Sequence, residues 1–277
     1  MRSSQAGSKV DTRCAFTTRS RSMKNSRISL AATVLSLLST SAAFAAPAST
    51  ASVKSVVVVH GALADASGWK AVDDILTRDG YKVTFVQDPQ TTLAEDVAAT
   101  QRVIDQQDGS TILVGHSYGG AVITQAGANP KVAALVYVAA VVPEVGESTA
   151  QLAMSVPAAS NDIHPTKDGF LFMDPSKFAA DFAADLPPAT ASFMARSQVA
   201  VSGAAFTTAV TTAAWHEKSS YGIVPTADRI LNPDLERSLY KRAGAKVTEV
   251  KGASHAVFMS HARAVADVIE QAAHGAN

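Results

Sequence analysis

The segment Gly115-His116-Ser117-Tyr118-Gly119 holds a serine between glycines placed two residues before and two after it. It stands behind the apolar run Thr111–Val114 and ahead of the small-residue stretch GGAVITQAGA. A serine at so tight a strand-to-helix corner is forced into a strained backbone conformation, and flanking glycines leave room for it. The corner lifts the hydroxyl clear of the sheet edge and beside a helix N-terminus, whose amides stabilise developing negative charge. That is the placement of a nucleophile for acyl transfer. Such a serine needs a base, and the base needs a group to orient it. Both follow in chain order: Asp228 just past an apolar run in YGIVPTADR, and His255 in GASHA, after the next run. The ends of neighbouring parallel strands share one edge of a sheet, so Ser117, Asp228 and His255 converge there.

The remaining titratable groups fit less well. His116 points away from its neighbour Ser117, and His216 precedes its strand, at the opposite edge. His164, Asp162, Asp174 and Asp185 lie in a long insertion, and His261 and His274 fall on or past the last helix. Two simpler readings stay open: Asp228 as a helix-capping or Arg229-paired surface acid, and His255 as a solvated loop histidine. Neither HGALAD nor SHAVFMSH has the helical i, i+4 pair that zinc sites use, so no metal is expected.

Acyl transfer through a tetrahedral intermediate also asks for two donors about 3 Å from the oxyanion. One is the amide after the nucleophile, on Tyr118. The other must come from a neighbouring strand end, and SVVVVHGALADASGW supplies it: the valines stop at His60-Gly61, where a glycine lets the backbone come close and presents the Ala62 amide. A turn with no further role is the alternative for His60-Gly61.

These corners need a sheet to carry them. Short apolar runs at Val56–Val59, Lys82–Val86, Thr111–Val114, Ala133–Ala139, Gly222–Val224 and Val247–Val250 alternate with amphipathic stretches at 94–107 and 233–244. Asn232-Pro233 opens the last of these as N-cap and first helical residue, and Gly244 stops it. Strands rich in Val, Ile and Leu that alternate with helices predict an α/β fold, a parallel sheet covered on both faces. The rhythm fails between Pro143 and Trp215, too long a span for a loop. It reads as a helical cap of short helices about a Pro187-Pro188 hinge. Phe170, Phe172, Met173, Phe178, Phe182, Phe193, Met194 and Phe206 are its candidate pocket lining; for any one of them, packing within the cap is the commoner fate.

The 277 residues, 47% hydrophobic and 17% charged, are globular in composition. From Met23 the chain resembles a signal peptide: basic Lys24 and Arg27, an apolar stretch Ile28–Leu38 too short to span a bilayer, and Ala43-Phe44-Ala45 as cleavage site. Met23 suits that start better than Met1. The expected organisation is an extension and signal peptide over 1–45, a core of 46–144 and 216–277, and the cap over 145–215, with 46–54 a flexible leader. Removing residues 1–45 takes away seven bases, one acid and the single cysteine, Cys14, and leaves 17 bases against 23 acids. A mildly acidic chain with no basic stripe is a poor partner for nucleic acid or anionic lipid. Without cysteine, thiol catalysis and disulfide frameworks are excluded. Export to a periplasm or beyond the cell is the expectation; the oligomeric state stays open.

Taken together, HGA…W (60–69), GHSYGG (115–120), TADR (226–229) and GASHA (252–256) resemble the α/β-hydrolase fold family. The opening with Trp69 is most similar to its small esterase branch of bacterial carboxylesterases, plant methyl-ester esterases and hydroxynitrile lyases. The resemblance spans nearly all of the chain beyond the leader. It implies a doubly wound, mainly parallel sheet with an inserted cap, no cofactor, a small-molecule ester as substrate, and Ser117, Asp228 and His255 as triad with the Ala62 and Tyr118 amides as oxyanion hole. The pocket would lie under residues 145–215, with His60, Trp69, Phe172, Phe193 and Met194 as candidates to line it. Three alternatives remain: a lyase or C–C hydrolase using the triad as acid and base, a cofactor-free perhydrolase, and a non-catalytic protein that binds a small ligand.

Overall fold

The computed structural model describes residues 52–276. The expected signal peptide, its cleavage site, both candidate starts and Cys14 lie outside the described residues. Ser52 and Val53, expected in a flexible leader, are instead tied to the C-terminal helix, where the Ala273 carbonyl accepts from both.

Six parallel strands form the main sheet. In chain order they begin with β1 (Ser55–Val59), β2 (Lys82–Val86), β3 (Thr111–His116) and β4 (Val132–Val138). Three short strands follow in the insertion, β5 (Ile163–Pro165), β6 (Phe170–Met173) and β7 (Val201–Ser202). The main sheet then closes with β8 (Ser219–Pro225) and β9 (Lys246–Val250), in the order β2-β1-β3-β4-β8-β9. The α-helices are α1 (Lys70–Arg78), α2 (Leu93–Asp105), α3 (Gly119–Ala126), α4 (Thr149–Ser155), α5 (Pro175–Asp181), α6 (Pro188–Arg196), α7 (Gly203–Thr207), α8 (Pro233–Arg242), α9 (Val257–Ser260) and α10 (Ala262–Gly275).

The pair α1 and α10 and the pair α2 and α3 cover the sheet. Hence Val56–Val59 and Ile112–Val114 have no solvent exposure, and continuous apolar runs rather than alternating ones were the correct sign of these strands. Each predicted strand of the main sheet is present. In register, Val59 of β1 lies opposite Val86 on one side and Gly115 on the other. His60 and His116 therefore leave the sheet side by side, and both corners open on its carboxyl edge, where ligands bind in folds of this kind.

The insertion departs from the helical expectation. Strands β5, β6 and β7 form an antiparallel sheet. Its hairpin turns at Thr166–Gly169, with Gly169 at φ 86° and the Thr166 amide donating to the Phe170 carbonyl. Strands of two to four residues are too short to show an alternating pattern, so only the turn residues could have signalled them. Pro187 and Pro188 fall at the break between α5 and α6: Pro187 is the N-cap of α6 and Pro188 its first residue, where a missing N–H costs nothing. Among the described residues no helix is long and apolar enough to cross a membrane.

Candidate active site

Ser117 adopts φ 52°, the left-handed region that a corner between β3 and α3 demands. The room for it comes from glycines. A Cβ on Gly115 would lie 2.6 Å from the Gly119 carbonyl oxygen, and one on Gly119 2.8 Å from that of His60. On the facing corner, a Cβ on Gly61 would lie 2.9 Å from the Ser117 Cβ. The β1 corner thus packs directly on the serine. Among the described residues neither the Ala62 nor the Tyr118 amide has a hydrogen-bond acceptor.

Asp228 and His255 meet as the chain order suggested. His255 Nδ1 lies 2.6 Å from Asp228 Oδ2, both side chains fully buried. The other oxygen, Oδ1, accepts from the Ile230 and Leu231 amides at 2.7 and 3.0 Å, which locks the carboxylate in place. Asp228 therefore caps its own turn and holds the histidine as well. Arg229 does not pair with it and instead binds Asp181 of α5 at 2.7 Å. With Nδ1 turned to the carboxylate, His255 Nε2 is buried and has no hydrogen-bond partner among the described residues. His255 and Ser117 line the same cavity.

That cavity measures about 80 Å³, small beside the ~300–1,000 Å³ usual for ligand pockets. Its walls are Ala62, Leu63, Ser117, Tyr118 and His255 from the sheet edge, Leu171, Phe182, Val201 and Phe206 from the cap, and Ile230 and Leu231 behind Asp228, with Val141, Thr149, Ala153 and Ile163 completing it. The five candidate lining residues lie elsewhere. His60 and Trp69 are buried beneath the site, Trp69 stacked on Phe258 at 4.8 Å. Phe172 is half-exposed on the cap, and Phe193 and Met194 line a separate surface hollow with Leu63 and Met259. Aromatic content marks the cap without telling which face of a short helix turns inward. Of the wider set of cap residues, Phe182 and Phe206 do line the cavity.

Other groups hold the site in place. His116 lies under His255, its Nε2 donating to the His255 carbonyl at 3.1 Å; burial first, and then the neighbouring His255 ring, holds its pKa well below the usual histidine range. Asp185 of the cap accepts from the Ser254 amide at 3.1 Å and hydroxyl at 2.5 Å, pinning the loop that carries His255. Tyr118 sends its hydroxyl 2.6 Å to Asp96 of α2. The sequence held one sign of Asp96: it stands in helical spacing with Leu93, Ala99, Thr100 and Ile104, all buried, so its face is the inner one. His216 pairs with Glu144 at 2.8 Å, and neither residue is among the cavity walls.

Comparison with known proteins agrees with this fold. A family model described as the alpha/beta hydrolase family matches residues 56–268. Among solved structures, a pyrethroid hydrolase from Sphingobium faniae JZ-2 is 25% identical, with TM-score 0.66, covering 80% of this chain and 97% of its own. Polyneuridine aldehyde esterase is 19% identical with TM-score 0.67, covering 79% and 98%. The T18A mutant of tomato methylketone synthase I is 16% identical with TM-score 0.70, covering 81% and 99%. No curated protein sequence matches.

Proposed function

The chain belongs to the alpha/beta hydrolase family, and from that premise we propose that it cleaves carboxylic esters by way of a Ser117 acyl-enzyme. The observation that carries the reading is the buried Asp228–His255 pair, with Nε2 left without a hydrogen-bond partner among the described residues, on a residue that lines the same cavity as Ser117. The esterase and hydrolase names of two structural neighbours lean the same way.

In the first half-reaction Ser117 Oγ bonds to the ester carbon and His255 Nε2 takes its proton. The oxyanion sits between the Ala62 and Tyr118 amides. The carbonyl re-forms, the C–O bond to the alcohol breaks, and His255 returns the proton to the leaving oxygen. Water repeats these steps on the acyl-enzyme and frees the acid. Asp228, fixed by the Ile230 and Leu231 amides, keeps Nδ1 protonated and so leaves Nε2 as the acceptor. Residues 145–215 act as the cap over the substrate, and the protein is exported and works in a periplasm or outside the cell.

A cavity of about 80 Å³ favours short acyl chains. The test is hydrolysis of p-nitrophenyl esters from acetate to laurate by the wild type and by Ser117→Ala. We expect turnover highest on the shortest chains and a loss of at least ~10³-fold on removing the serine. Equal inertness of both proteins on every ester would overturn the reading.

A further inference from the structure

Behind the two oxyanion amides lies a set of buried polar side chains that the proton transfers do not use: His60, Gln90 and Asp96. Gln90 adopts φ 56° in the loop between β2 and α2 and has no solvent exposure. Its carboxamide nitrogen donates to the Gly61 carbonyl and to the Ala64 carbonyl, each at 3.2 Å, so both hydrogens are spent on the β1 corner. The reversed amide would set its oxygen against two carbonyl oxygens.

The Gly61 carbonyl takes a second donor. His60 Nε2 accepts from the Asp88 amide at 3.1 Å, which leaves the proton on Nδ1, and Nδ1 donates to the Gly61 oxygen at 2.9 Å. Gly61 and Ala62 share one peptide plane, and no cis peptide occurs among the described residues. In a trans peptide the carbonyl and the N–H point opposite ways. Two donors on the Gly61 oxygen therefore aim the Ala62 N–H away from themselves, and they polarise it as a donor.

Through Asp96 the same residue reaches the side chain of Tyr118, whose amide is the other oxyanion donor, and it also reaches the cap. The Gln90 amide donates to Asp96 Oδ1 at 2.8 Å, while Asp96 Oδ2 accepts the hydroxyl of Tyr118. The Gln90 carbonyl accepts from Ser202 of β7 at 2.8 Å, next to Val201 in the cavity wall.

We propose that Gln90 is a positioning residue for the oxyanion hole, its carboxamide setting the orientation of the Gly61–Ala62 peptide and its backbone tying that peptide to Asp96, Tyr118 and the cap. The inference rests on the ester-hydrolase reading above. Gln90 touches no reacting atom; it acts through the Ala62 amide, so its removal weakens transition-state binding and leaves ground-state binding alone.

The experiment is Gln90→Leu in the full chain, measured three ways. First, kcat and KM on p-nitrophenyl acetate. Second, inhibition by a short alkyl trifluoromethyl ketone, which forms a hemiketal as Ser117 Oγ bonds to its carbon, the carbonyl pair becoming the oxyanion and the serine proton passing to His255. Third, inhibition by the matching alkyl ether, which fills the cavity with no adduct. We expect kcat to fall ~10–10²-fold, part of the ~10²–10³ that a lost donor costs. The ketone should weaken by the same factor, with KM and the ether within about twofold. Unchanged kcat in a folded Gln90→Leu overturns the inference, as do equal losses for ketone, ether and KM, the mark of a loosened loop. Should Gln90→Leu not fold, Gln90→Met is read by the same criteria. A wild type inert on all esters defeats the ester-hydrolase reading instead, so the two failures are distinguishable.

Discussion

Asp88 is a carboxyl in an unusual position, and replacing it by asparagine should make the protein more stable. Both carboxyl oxygens are buried without a hydrogen-bond partner among the described residues, although its backbone amide is well used on His60 Nε2. Burial, with the Asp96 carboxyl adding to it, raises the Asp88 pKa from 3.8 to about 8. In the unfolded chain the group ionises near its ordinary value. Between roughly pH 4 and pH 8 the folded protein thus retains a proton that the unfolded chain has released. Folding stability falls by ~1.4 kcal/mol for each pH unit across that window and no further above it. At pH 7 the accumulated penalty is ~4 kcal/mol. An asparagine side chain ionises in neither state, so Asp88→Asn removes the whole pH-dependent term and keeps the backbone bond to His60. The variant should match the wild type near pH 4 and exceed it by ~4 kcal/mol at pH 7. For a chain of this size that is a rise of ~8–16 °C in melting temperature. Urea unfolding at pH 4.5, 6, 7 and 8.5 reads both quantities. Parallel pH slopes for the two proteins would refute the reasoning, because Asp88 could not then be the group that holds the proton.

Two substitutions probe the contacts that assemble the site. In Gly61→Ala the new methyl meets His116 Nδ1 at 2.5 Å and the Ser117 Cβ at 2.9 Å; we expect kcat to fall by ~10²-fold through displacement of the serine and stability by ~1–3 kcal/mol through overpacking, read by kinetics and denaturant midpoint. In Arg229→Met the Asp181 carboxylate loses its guanidinium partner and keeps the Ser160 hydroxyl at 2.8 Å. Burial works to raise the Asp181 pKa, and Arg229, Ser160 and Asp162 together outweigh it, so the pair's contribution is present at neutral pH and lost as pH falls through the lowered value. The variant should be ~1–3 kcal/mol less stable at pH 7, with the gap narrowing as pH falls below the ordinary carboxylate range, and with hydrogen exchange in α5 accelerated at neutral pH.

The sheet and the three converging residues were legible because each depends on short-range pattern. Valine runs mark buried strands, glycines at fixed offsets mark the Ser117 corner, and parallel strands bring the Asp228 and His255 loops to one edge. The cavity was not legible, since its walls come from segments too short for periodicity. Leu171 and Val201 project from strands of four and two residues, and which side of so short a strand faces inward is set by the cap's packing on the core. Gln90 illustrates a second limit. It lies in a loop, surrounded by Pro89, Thr91 and Thr92, and looks like an ordinary polar turn residue. Its importance comes from a left-handed backbone and from carbonyls about thirty positions earlier in the chain, neither of which a local pattern records.

The two corners of the site solve one problem twice. Strands β1 and β3 run in register, so the histidines that end them, His60 and His116, enter the protein at the same level. A histidine buried this deeply is driven to the neutral form, and burial is the leading cause of the lowered pKa of each. A neutral ring carries one N–H, and in both cases that hydrogen goes to a backbone carbonyl beside the reacting edge. His60 Nδ1 donates to Gly61, behind the Ala62 amide; His116 Nε2 donates to His255, behind the base. Each ring thereby fixes a peptide plane without placing a charge near the oxyanion or the Asp228 carboxylate. Lysine or arginine would supply donors to the same carbonyls but would carry a buried positive charge, which costs several kcal/mol unless paired. Asparagine offers a neutral donor, but at position 116 it lacks the reach of Nε2 to the His255 carbonyl, and at position 60 it lacks the far ring nitrogen that accepts from the Asp88 amide. The imidazole meets both requirements, and this is the physical reason that a run of valines ends in His-Gly on one strand and the serine is preceded by histidine on the next.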